Sequence, residues 1–165
     1  MRKLLDRAYD GAGYLAGICI VIITLMILVQ IVARWFGVIV PSTEDFSGYL
    51  LAATSFLALA HTFRHGGHIR VTLLVHRLSP GWQRALVYFA LIVITIITGY
   101  GAYHLSYLVY ESWIFEELSQ GYIAIPLWIP QVPIALGAIL FFIALADDLI
   151  LSLRGGSPAF IGLEE

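Results

Sequence analysis

The sequence predicts an all-α integral membrane protein of four transmembrane helices, with both termini in the cytoplasm. Three observations carry this expectation. The 165 residues are 60% hydrophobic and only 12% charged, about half the charge of a soluble domain. The charges are clustered and leave four uncharged stretches, residues 11–33, 46–63, 85–110 and 118–146. About 20 apolar residues in a helix cross a ~30 Å hydrocarbon core, where the backbone must satisfy its own hydrogen bonds, so each stretch is expected to be a helix. The basic residues, finally, fall on one side of such a layout. Arg2, Lys3 and Arg7 precede the first span, Arg64, Arg70, Arg77 and Arg84 separate the second from the third, and Arg154 follows the fourth, leaving Arg34 alone on the other side. Cytoplasmic loops collect Lys and Arg, which orients the chain.

An N-terminal arm is expected over residues 2–10. Leu4, Leu5, Ala8 and Tyr9 recur at helical spacing against Arg2, Lys3, Asp6 and Arg7, the pattern of an amphipathic segment lying on the inner membrane surface. The first span, 11–33, ends at the interfacial pair Arg34 and Trp35. It is too long for a signal-peptide core and no small-x-small cleavage site follows it. Cys19, the single cysteine, reads as a small packing residue and excludes an internal disulfide.

The second span, 44–64, follows Pro41. Ser42 with Asp45 three residues on forms a capping-box signature, and Glu44 and Asp45 suit the positive end of the helix dipole. Gly66 and Gly67 are expected to end it. Val71, Leu74, Val75 and Leu78 then form an i, i+3, i+4, i+7 stripe, read as a short interfacial helix over 70–78. Ser79, Pro80 and Gly81 stop that helix, and Trp82 stands at an aromatic-belt position. The third span, 84–108, carries Gly99 and Gly101, small residues that permit close helix approach in lipid. The fourth, 128–152, opens on the prolines Pro130 and Pro133, and a tail follows over 153–165. Asp147 and Asp148 lie at its negative dipole end and therefore call for a cation, with Arg64, Arg70 or Arg84 in reach.

Chemistry is sparse. The net charge is −2, with no basic run to follow a nucleic-acid backbone. The span centres offer Thr24, Thr54, Ser55 and Thr95, none ionisable, whereas ion-coupled transporters place ionisable or polar groups near the midplane. His61 and His104 are the histidines within spans, expected at opposite depths, which disfavours a shared haem. His61, His65 and His68 fall at i, i+4 and i+7, but a break at Gly66 makes interfacial hydrogen bonding the favoured reading over a metal site. No arrangement for nucleophilic catalysis or phosphate binding is visible, so no enzyme, cofactor or metal is expected. A four-helix membrane redox protein of the b-type cytochrome kind is the alternative.

Two segments carry a resemblance. Residues 45–74, DFSGYLLAATSFLALAHTFRHGGHIRVTLL, pair an acidic helix start with a basic, glycine-containing turn at Arg64, Gly66 and Gly67 and the run His68, Ile69, Arg70, Val71. Residues 119–137, SQGYIAIPLWIPQVPIALG, place Ser119, Gly121, Pro126, Trp128, Pro133 and Gly137 in a P-x-W element with a following proline–glycine pair. In both, the chain resembles the small membrane subunit, DctQ-type, of tripartite ATP-independent periplasmic (TRAP) transporters; Thr72 stands where the family often has Asp. The resemblance implies a bacterial inner-membrane symport system driven by sodium and importing organic acids. A periplasmic binding protein would capture the substrate, a large multi-helix subunit would carry it, and the small subunit would broaden the immobile frame and help form the docking face. It places Glu44, Asp45, Glu116 and Glu117 near that face. Packing at Gly99, Gly101 and Gly137 would serve assembly. Arg64, His68, Arg70, Arg77 and Trp82 would anchor the chain to lipid headgroups on the inner side.

Overall fold

A computed structural model of the protein describes residues 2–65 and 80–153, with the backbone alone for 2–4, 80, 83 and 84. Four helices make up these residues: α1 (Arg2–Trp35), α2 (Thr43–Arg64), α3 (Pro80–Ile114) and α4 (Trp128–Leu153). All four are long and apolar enough to cross a membrane. The expected interfacial helix over 70–78 and the residues Gly66, Gly67, His68, Arg70 and Arg77 lie outside the described residues, as does the tail from Arg154 onward.

Each helix end has a local cause. At the end of α1, Gly37 adopts φ 71°, its N–H donates to the Arg34 carbonyl (3.1 Å), and the Val38 N–H donates to the Ala33 carbonyl (2.9 Å). This is the left-handed stop that glycine makes without steric cost. Helix α3 starts on Pro80, whose missing N–H is harmless in a first turn. It stops where Glu116 takes φ 50° and the Glu117 N–H reaches the Ser112 carbonyl (3.1 Å).

Two helices run past the bounds expected for their spans. The arm expected at 2–10 joins the first span without a break, α1 being one continuous helix of 34 residues. Amphipathic periodicity fixes which face is polar but not the direction of the axis, and nothing between Tyr9 and Gly11 breaks the helix. Helix α3 likewise extends beyond residues 84–108: its 35 residues amount to ~52 Å of helix, longer than a ~30 Å core requires.

The helices form a row in the order α1, α2, α4, α3. Helices α2 and α4 pack together at the centre, α1 lies against α2, and α3 lies against α4, with only a light touch between α1 and α4. Water cannot drive helices together within lipid, so close van der Waals contact must do so, and small residues permit it. The buried positions follow that rule. Ala53 and Ala60 of α2 and Ala135, Gly137, Ala138 and Ala144 of α4 are all buried, and a Cβ on Gly137 would overlap the Phe56 backbone and lie 2.7 Å from the Leu57 nitrogen. Gly99 plays the same part between α3 and α4, where a Cβ would come within 2.8 Å of the Phe142 ring. Tyr9, Phe63, Leu91, Phe141 and Leu145 complete the core, with Phe63 and Phe141 meeting edge to face at 5.9 Å.

Candidate functional site

Polar side chains gather at the two ends of the row. At the first end the start of α1, the last turn of α2, the start of α3 and the last turns of α4 come together. Arg64 is the hub. Its Nη2 donates to Asp6 Oδ1 at 2.9 Å, its Nη1 stands 3.7 Å from Asp147 Oδ2, and its guanidinium lies over the Tyr9 ring, 5.6 Å from the centroid. One cation thus ties three helices. Tyr9 is buried to 1% exposure and Asp148 to 0%. Beside them Ser152 donates to the Asp148 carbonyl (2.8 Å) and Tyr88 of α3 donates to the Ser152 carbonyl (3.1 Å).

The cation expected for the acids at the end of α4 is therefore Arg64, through Asp147. Asp6, read from sequence as part of the polar face of an arm, belongs to the same corner, and so does Asp10. An open cleft of about 350 Å³ lies there, lined by Asp6, Tyr9, Asp10, Arg64 and His65. His61 Nδ1 is 3.2 Å from Asp10 Oδ1, and His65 Nε2 is 4.0 Å from the same oxygen. The two imidazoles lie 4.1 Å apart at their centroids. Trp82 is exposed near this end of α3. The side chain of Arg84 is outside the described residues, with Arg70 and Arg77.

At the second end the connection between α3 and α4 folds back on the start of α2. Ser119 N–H donates to the Ile125 carbonyl (2.8 Å) and Leu127 N–H to the Glu117 carbonyl (2.9 Å), while Ser119 Oγ accepts from Ile125 N–H (3.0 Å). The resulting closed loop presents Gly121 so tightly against α2 that a Cβ there would overlap the Asp45 carboxylate. Its Ile123 N–H donates to Ser42 Oγ at 2.9 Å.

That bond corrects the expected capping box. Ser42 does occupy the position before α2, but in the left-handed conformation, φ 56°, and its side chain makes no cap bond to the helix. The hydroxyl is instead spent on an amide 81 positions away in sequence. Glu44 and Glu116 are exposed. Asp45 is half-buried under the loop, and the Glu117 carboxylate accepts a 2.7 Å bond from Ser112. A Cβ added at Gly101 would meet nothing within 4 Å, so among the described residues it closes no helix contact within the chain, unlike Gly99 and Gly137.

Between the ends, the four hydroxyls that the sequence singles out bond to backbone. Thr24 donates to the Ile20 carbonyl, Ser55 to Leu51 and Thr95 to Leu91, each one turn back. Thr54 crosses to the Ala16 carbonyl of α1 at 3.4 Å. His104 lies against Tyr100, ring centroids 4.2 Å apart and planes tilted by 55°, sixteen residues and ~24 Å along α3 from the level of Tyr88. His61 sits in the last turn of α2 at the first end, so the two rings do not share a site.

A family model for the DctQ component of tripartite ATP-independent periplasmic transporters matches residues 23–155. No curated protein matches the chain. The family match takes in α2, α3 and α4 whole and the end of α1, including both segments that carry the resemblance, and the chain accordingly belongs to the DctQ family, the small membrane components of TRAP transporters.

Proposed function

We propose that this small component serves as a fixed scaffold in a sodium-driven, binding-protein-dependent importer of organic acids. It would lie in a bacterial inner membrane with both termini in the cytoplasm. The observation that carries the reading is the state of the span interiors. Thr24, Thr54, Ser55 and Thr95 all bond to backbone carbonyls, and the described carboxylates and arginines stand near or beyond the helix ends. A solute or sodium ion needs free ligands near the midplane, so its route runs through the large subunit.

The row of helices supports the scaffold reading. A panel offers more edge to a neighbour than a closed bundle does, and an elevator-type carrier needs a broad immobile frame. The first end would face the cytoplasm and lipid headgroups, with Arg64 and Trp82 there and His68, Arg70 and Arg77 added on the sequence reading alone. The second end, with Glu44, Asp45, Glu116 and Glu117, faces the periplasm and helps receive the binding protein. Reconstitution tests this. Vesicles holding only this chain should show no sodium-dependent uptake of carboxylates. Vesicles holding it together with the large subunit and supplied with loaded binding protein should transport. Uptake by the chain alone overturns the proposal, as does full transport by the large subunit without it.

A further inference from the structure

We propose that Asp10, His61 and His65 form a binding site for a divalent transition-metal ion of the zinc class, bridging α1 to the end of α2. The three donor atoms, one carboxylate oxygen and two imidazole nitrogens, all lie within 4.8 Å of one another. His61 Nδ1 is 3.2 Å and His65 Nε2 4.0 Å from Asp10 Oδ1. A tetrahedral zinc ion with bonds of ~2.0–2.1 Å sets its ligands ~3.4 Å apart, so the trio is already close to the spacing an ion requires.

The hydrogen bonding around the trio prepares it. His65 Nδ1 lies 2.9 Å from the His61 carbonyl oxygen. Only an N–H makes that contact a bond, and in a neutral ring this leaves Nε2 as the lone-pair atom on the Asp10 side. A backbone carbonyl that fixes the tautomer of a ligating histidine is the usual outer support of a metal site. His61 Nδ1 is buried and makes no hydrogen bond, despite its closeness to Asp10. With both rings neutral and their lone pairs turned to the carboxylate, three electron-rich atoms converge, and a cation among them would offset their mutual repulsion.

Charge and packing agree. Arg64 is already divided between Asp6 and Asp147, and among the described residues the ion-pair partners of Asp10 are the two imidazoles alone. The His61 ring is seated on α1 at Gly13, where a Cβ would come within 2.8 Å of its Cγ. Gly13 lies one turn after Asp10, so its missing side chain is what lets the ring reach the carboxylate. Two imidazoles and one carboxylate favour zinc, cobalt or nickel over magnesium or calcium. Half-exposed side chains leave room for water at a fourth position.

The rival occupant is a proton, which would make the same contacts ordinary His–Asp pairs. The test uses the full chain, purified with a histidine-free affinity tag and stripped with chelator. Zinc is titrated calorimetrically at about pH 7.5, where free imidazoles are mostly neutral. Cobalt absorption reports the ligand field. We expect one saturable zinc per chain that magnesium does not displace, and an intense visible cobalt band. Affinity should fall roughly 10-fold or more in Asp10→Asn, His61→Gln and Gly13→Ala. His65→Gln, at an exposed position outside the helix proper, should weaken zinc binding equally while circular dichroism stays native, which separates ligand loss from misfolding. Absence of zinc binding by the wild-type chain, or unchanged binding in His65→Gln and Asp10→Asn, overturns the site.

Discussion

Single residues decide how near these helices come. Gly137 lies with its α-carbon against the Phe56–Leu57 backbone, an approach that leaves no room for a side chain, and it does so at the centre of the row. Gly137→Ala must push α2 and α4 apart or bend one of them, and overpacking of this kind costs about 1–3 kcal/mol. Gly101 is open, so Gly101→Ala should leave the stability of the isolated chain unchanged. Thermal unfolding in detergent checks both. Co-purification of Gly101→Ala with the large subunit adds a second reading: lost assembly with unchanged stability assigns Gly101 to the partner, and retained assembly leaves it to lipid. The same scale shows what a sequence can disclose. Two acids at the negative end of α4 demanded a cation, and Arg64 answers through Asp147 at 3.7 Å. Asp6 and Asp10 carry no such signal, because their spacing is equally that of a polar face turned to water. Their role depends on α1 continuing straight past α2, which no local pattern encodes.

At the scale of elements, the bilayer makes spans legible and leaves their ends obscure. The required length and the absence of charge locate four helices, whereas α3 begins and ends several residues beyond its apolar stretch, since a helix once formed continues until a proline, a left-handed residue or a lost partner stops it. The start of α2 shows the second limit. Ser42 and Asp45 have the residue types and spacing of a capping box, yet the serine is left-handed and bonds Ile123 of the distant loop. A local motif was outcompeted by a long-range hydrogen bond. Ser42→Ala removes an acceptor worth about 1 kcal/mol, and the place where the loss appears distinguishes the two roles. Hydrogen exchange should quicken at the Ile123 amide and its neighbours in the loop, with the first-turn amides of α2 unaffected. Faster exchange confined to the first turn of α2 would instead restore the capping role.

For the whole molecule the telling feature is which helices are neighbours, and composition says nothing of that. A square bundle and a row bury similar small residues and differ only in whether α1 meets α3. Here both flank a central α2–α4 pair, and long apolar runs on each remain exposed, among them Tyr14 at 77% and Ile96 at 66%. These two positions also stand at comparable depth, five residues beyond the core residues Tyr9 and Leu91 respectively. Packed helices lie 8–10 Å apart axis to axis, so adjacency would set α1 and α3 about 9 Å apart and a square diagonal about 13 Å. The row separates them by roughly 20 Å or more, and both chosen side chains are exposed. Spin labels at these two sites, in a chain whose Cys19 has been replaced by alanine, should give a dipolar distance well above 20 Å in nanodiscs. A peak below that value would close the row into a bundle, and with it would go the extended edge on which the scaffold reading relies. If the long distance persists unchanged when the large subunit is bound, the panel is rigid before assembly, as a fixed frame for a moving carrier must be.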